Sequence, residues 1–105
     1  METPLRLELH GIKASEHLDR LISVNLAKIE KRYGRATSCR VVVRAPNGHH
    51  RSGAPFEVSL RIALPARREI NVGHAEDGRG TDLDFAVNDA FKRALRQLES
   101  LTAGL

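Results

Sequence analysis

Side chains capable of covalent or metal chemistry are few and scattered. One cysteine, Cys39, and five histidines, His10, His17, His49, His50 and His74, occur in 105 residues. A thiol nucleophile needs a base within hydrogen-bond reach. Cys39 instead alternates with Val41 and Val43 in a strand-like run that turns it inward. His49, His50 and His74 do not stand at zinc-type spacing from Cys39, and adjacent histidines in an extended segment point apart. There is no glycine-rich phosphate loop and no paired His-Glu motif. The expectation is a protein without catalytic residues, metal, cofactor or small-molecule substrate.

The cationic side chains are better organised, and the chemistry open to them is contact with phosphate. Between Ser15 and Arg35, Leu18, Ile22, Ile29 and Tyr33 recur at helical spacing, with Leu21, Asn25 and Leu26 beside them. At about 100° per residue, His17, Arg20, Lys28, Lys31 and Arg35 fall along one flank of that face, and Glu16, Asp19 and Glu30 along the other. A helix needing only solubility would mix the two signs for i,i+4 pairing. Lys28, Lys31, Arg32 and Arg35 are therefore candidate phosphate contacts, with Arg20 on the same flank. In a second helical stretch, Lys92, Arg93 and Arg96 are placed on the solvent side. The bland alternative is that cations near a helix C-terminus complement its dipole, each contributing about 0.3–1 kcal/mol.

Two further candidates lie in Pro46–Pro55, a run rich in turn formers that predicts a long hairpin loop. Arg51 there suits a phosphate clamp, and His49 an imidazole stacked on an unpaired base. A solvated hairpin tip is the competing account. Phe85 falls off the apolar line of the second helix; packing on the preceding loop is expected of it in preference to stacking on a base.

The elements that must carry these residues follow from periodicity. Leu5, Leu7 and Leu9 alternate with Arg6, Glu8 and His10 after Pro4, predicting a strand with one buried face that ends at Gly11. Ser15 is placed to cap the first helix and Gly34 to occupy the C′ position. Strands are expected over Cys39–Ala45, over Phe56–Leu64 and around Ile70 and Val72, with Pro65-Ala-Arg-Arg68 turning between the last two. Thr81 followed by Asp84 resembles a capping box. Ala86, Val87, Ala90, Phe91, Ala94, Leu95, Leu98 and Leu101 then form the apolar face of a second helix.

This order predicts an α+β fold, β-α-β-β-β-α, with the first strand added in parallel and both helices packed on one face of a four-stranded sheet. The other face would be open, presenting Arg6, Glu8, Arg40, Arg44, Glu57, Arg61, Glu69 and Asn71, for which cross-strand pairing is a sufficient account. A chain of 105 residues suits one domain. A formal charge of +4 and pI near 9.8 favour an anionic partner. One cysteine suggests a reducing compartment, and no signal-peptide or membrane-span pattern is present, so the chain is expected in the cytoplasm with no membrane partner.

Four segments in succession, Leu7-Glu-Leu-His-Gly11, Leu26-Ala-Lys-Ile-Glu-Lys-Arg-Tyr33, Cys39-Arg-Val-Val-Val43 and Asp89-Ala-Phe-Lys-Arg-Ala-Leu-Arg-Gln-Leu98, give the chain its resemblance to a known family. It resembles the short form of the ribosome hibernation promoting factor family, which includes the ribosome-associated inhibitor and is also called the sigma-factor modulation family. The resemblance implies a fold similar to double-stranded RNA-binding domains. It also implies binding to the small ribosomal subunit and its ribosomal RNA near the decoding region, excluding mRNA and tRNA. Residues 1–105 are expected to form a single ribosome-binding domain, without the C-terminal dimerisation domain of long members or the lysine-rich tail of some short ones. The alternatives are a protein-interaction domain using the open sheet face and, from another class, an enzyme built on the histidine loop.

Overall fold

A computed structural model describes residues 3–45, 56–73 and 82–102. The elements are β1 (Leu5–His10), α1 (Glu16–Arg32), β2 (Ser38–Arg44), β3 (Glu57–Ala63), β4 (Glu69–Val72) and α2 (Leu83–Thr102), with a short 3-10 turn over Pro65–Arg67. The strands form one sheet in the order β1-β2-β3-β4. β1 runs parallel to β2, and the other neighbours are antiparallel. The expected α+β arrangement is therefore the one observed.

The period-2 patterns set the two faces of the sheet. Val41 lies between Leu7 and Leu60, and Cys39 between Leu5 and Ile62, so the apolar residues of neighbouring strands are in register. They pack against Leu18, Ile22, Leu26 and Ile29 of α1 and Val87, Ala90, Phe91, Ala94 and Leu98 of α2 in one core. Each such Leu, Ile or Phe contributes about 1.5–3 kcal/mol through removal from water. The alanines of α2 leave room for it to lie close on β3 and β4, which it contacts along with α1.

β1 is less buried than its alternation suggests. Leu7 and Leu9 are half-buried and Leu5 is 36% exposed. An edge strand has a neighbour on one side only, and that geometry is invisible to periodicity. Gly11 ends β1 at φ +73°, a left-handed conformation, and a Cβ there would meet the Ala45 Cβ at 3.4 Å. Ala66 and Arg67 also adopt positive φ, 64° and 60°, in the turn between β3 and β4.

The helix boundaries correct two expectations. Ser15 caps α1 as expected, its Oγ accepting from Leu18 N at 3.1 Å. The helix ends at Arg32, however, with Tyr33 as C-cap, so Arg35 lies beyond it. Gly34 follows that cap, in the C′ position expected of it, without adopting left-handed φ. At α2 it is Asp82 that caps, accepting from Asp84 N at 2.9 Å, while the Asp84 carboxylate turns to His17 instead of back along its own helix. Thr81 lies outside the described residues.

A candidate nucleic-acid interface on the paired helices

Three side-chain contacts align α1 and α2. His17 Nε2 lies 2.9 Å from each carboxylate oxygen of Asp84, Asn25 Nδ2 donates to Asn88 Oδ1 at 2.8 Å, and Arg32 Nη2 donates to Glu99 Oε1 at 2.6 Å. Partners advance together along both chains, so the helices run parallel. Asn25 is buried within the apolar face and also donates to Leu21 O at 2.9 Å. A buried amide so paired holds register without an unsatisfied donor.

Between the helices lies a groove of about 340 Å³ lined by Asn25, Lys28, Ile29, Asn88, Phe91, Lys92 and Leu95. Lys28 and Lys92 thus stand on its two walls, one from each helix. Arg20 and Lys31 share the exposed side of α1 with Lys28, and Arg96 shares that of α2 with Lys92. Among the described residues, none of these five cations has an acidic side chain within ion-pair distance. Two exposed apolar side chains accompany them: Val24 (51% exposed), one turn from Arg20 and Lys28, and Phe85 (44% exposed), seven residues before Lys92. Phe85 is not buried; the loop expected to cover it lies outside the described residues.

The remaining candidates are placed differently. Arg32 is held by Glu99. Arg93 turns away from the exposed side towards the sheet edge, where it donates to Asp89 Oδ2 at 3.0 Å and Gly73 O at 2.8 Å. Arg35 is exposed in the segment after α1. His49 and Arg51 lie outside the described residues.

The acidic flank of α1 points the other way. Glu30 Oε2 accepts from Thr3 N at 3.0 Å and Thr3 Oγ1 at 2.8 Å, tying the start of the chain to the helix. The segregation of sign around α1 therefore has a structural counterpart, with Glu30 tied to the segment before β1 and Lys28 on the groove shared with α2.

Elsewhere the polar groups are explained by the fold. On the open sheet face Arg40 pairs with Glu8, Arg44 with Glu57 at 3.8 Å, and Arg61 with Glu69 at 3.8 Å. The Arg40 guanidinium holds the Glu8 carboxyl below its ordinary value against some desolvation, with Arg6 and His10 adding to the effect. Cys39 is 1% exposed; burial, assisted by the Glu30 charge, pushes its thiol up to about 11. A thiol so placed is protonated and inaccessible, a poor nucleophile. Among the described residues no group of three or more His, Cys, Asp or Glu is arranged to hold a metal ion, and no helix is long and apolar enough to cross a membrane.

Sequence alone does not mark the exposed Val24 or the Asn25–Asn88 contact as parts of a site. A signal existed for Asn25, because an amide interrupting an apolar helical line marks a buried hydrogen bond. Val24 gave none.

Comparison with known proteins places this architecture. The pattern of the family described as Sigma 54 modulation protein / S30EA ribosomal protein matches residues 5–103. A ribosomal subunit interface protein from Coxiella burnetii superposes with a TM-score of 0.78 at 16% identity, covering 96% of this chain and 99% of that one. The N-terminal domain of Protein Y from Thermus thermophilus superposes with a TM-score of 0.73 at 15% identity, covering 94% and 98%. No curated protein matches the sequence at a significant level.

Proposed function

The chain belongs to the Sigma 54 modulation protein / S30EA ribosomal protein family, and from that membership we propose that it is a ribosome-associated hibernation factor that inhibits translation without chemistry. It binds ribosomal RNA of the small subunit near the decoding region, in the cytoplasm, and excludes mRNA and tRNA by occupying their space. Residues 1–105 act as one ribosome-binding unit. The observation that carries this reading is the convergence of Lys28 and Lys92 on one inter-helix groove, with Arg20, Lys31 and Arg96 unpaired around it among the described residues. Exposed cations on a rigid two-helix support are suited to a structured phosphate backbone, whose shape they meet without reading its sequence. Val24 and Phe85 offer apolar contact to sugars or an unstacked base.

The test is cosedimentation of the purified protein with small subunits, large subunits and intact ribosomes through sucrose gradients at two salt concentrations. The expected result is small-subunit binding that weakens steeply with salt, because each phosphate contact releases counterions. Combined Lys28→Glu, Lys31→Glu, Lys92→Glu and Arg96→Glu changes should abolish it while the fold survives. Undiminished binding by that folded variant would overturn the assignment of the site.

A further inference from the structure

The two edges of the sheet are finished differently. At β4, α2 reaches over the rim: Arg93 donates to Gly73 O at 2.8 Å and Gln97 Nε2 to Asn71 O at 3.2 Å. These side chains occupy carbonyls that an incoming strand would need. At β1 the outer rim has no such cover among the described residues. Cys39 N donates to Pro4 O and Ala45 N to His10 O, which sets the phase of the parallel ladder. The even-numbered residues of β1 turn their backbone towards β2, and Leu5, Leu7 and Leu9 turn theirs outward. Their side chains are only partly covered by the core.

We propose that the outer edge of β1 is a self-association surface, pairing antiparallel with β1 of a second copy about a two-fold axis through Leu7. The occupant is argued from the order of the residues. Antiparallel pairing centred on Leu7 sets Leu7 against Leu7, Leu5 against Leu9, and Arg6 against Glu8 in both directions. The outward groups of Leu5, Leu7 and Leu9 then form about six backbone hydrogen bonds between copies. Arg6 and Glu8 occupy non-hydrogen-bonded positions, where facing Cα atoms come within about 4.5 Å and side chains lie closest. Both project from the open face. Arg6 has no ion-pair partner among the described residues, and Glu8 engages Arg40 through Oε2, so a second guanidinium meets its other oxygen. Opposite charges two residues apart on an unsealed edge make the strand complementary to its own reverse. The interface is isologous and closes as a dimer with one continuous eight-stranded sheet. Because it uses neither helix, this inference is independent of the ribosomal RNA reading.

The test is sedimentation equilibrium of the full chain over roughly 10 µM to 1 mM, a range that spans weak association. The wild type should pass from monomer to dimer. Leu7→Pro removes an outward N–H that β2 does not use and should raise the dimer dissociation constant at least about tenfold. Should that variant prove unfolded by circular dichroism, a charge exchange decides. Arg6→Glu alone and Glu8→Arg alone each place like charges across the axis and should remain monomeric; an equimolar mixture of the two restores both opposite-charge pairs and should dimerise. A wild type monomeric to 1 mM, a dimer indifferent to a folded Leu7→Pro, or a mixture no more associated than its components would overturn the proposal.

Discussion

Lys31 and Arg32 are neighbours in sequence and unlike in circumstance: Arg32 Nη2 lies 2.6 Å from Glu99 Oε1 on the other helix, whereas Lys31 projects to solvent with no ion pair among the described residues. Composition treats the two as equal cations. Geometry gives one to holding the helices together and leaves the other open to solvent.

Single substitutions should separate these roles. Lys31→Ala is expected to weaken small-subunit binding at 100 mM salt by several-fold and to reduce its salt slope, with thermal stability unchanged. Arg32→Ala should affect binding less and lower stability by no more than about 1 kcal/mol, as for an exposed pair. Binding titrations and thermal unfolding on the two variants decide the matter; equal losses of affinity would erase the distinction.

Asn25→Ala removes the buried amide that bonds both Leu21 O and Asn88 Oδ1. The expected cost is about 1–3 kcal/mol in urea unfolding, the range for losing a buried hydrogen-bonded group. Asn88→Ala leaves the amide with one of those partners and should cost less.

The Glu8–Arg40 pair supplies a sign for acid sensitivity. Its carboxyl is held below the ordinary value of 4.5 in the folded chain, chiefly by the Arg40 hydrogen bond. The unfolded chain therefore binds the proton more readily there. The pair's contribution is fully present above the unfolded value and is lost as pH falls through the folded one. Melting temperatures measured from neutral pH down to the acid side of 4.5 should show a smaller acid-induced loss in Glu8→Gln than in the wild type.

In the turn after β3, Ala66 and Arg67 hold left-handed backbone without being glycine. That conformation costs a non-glycine residue about 1–2 kcal/mol, offset in part by the greater unfolded-state freedom of glycine. Ala66→Gly is expected to raise stability by about 0.5–1 kcal/mol in chemical unfolding. A loss of stability would show that the turn is unstrained.

Cys39 should resist alkylation by iodoacetamide in the folded chain and react once urea unfolds it, since its thiol is enclosed by the core and pushed up to about 11. Prompt labelling of native protein would contradict its placement.

The fold was legible because its determinants are local and repetitive. Alternating residues in β2 and β3, and the apolar lines of α1 and α2, specify which faces are buried before any contact is known. What sequence left open was long-range. Nothing near Arg32 announces Glu99, 67 residues away, and nothing near Arg93 announces the Gly73 carbonyl. Half-exposure of Leu5 follows from its place at the rim of the sheet, a property of strand order. Of the predicted cationic flank, Arg20, Lys28 and Lys31 emerge on α1, but Arg35 falls past the helix end because Tyr33 closes it. The joint position of Lys28 and Lys92 required knowing that the two helices lie side by side and point the same way.

That common direction has an electrical consequence. Backbone dipoles of neighbouring antiparallel helices cancel; here they add, with both positive poles beside Glu16, Asp19 and Asp84. Lys28, Lys31, Lys92 and Arg96 sit farther along the same axis, so the side chains build a moment opposed to that of the peptide groups. On the two helices acids gather towards one end and bases towards the other, which makes the helix pair polar along its length. The field of a polyanion favours the approach of such a pair with its carboxyl-terminal half forward.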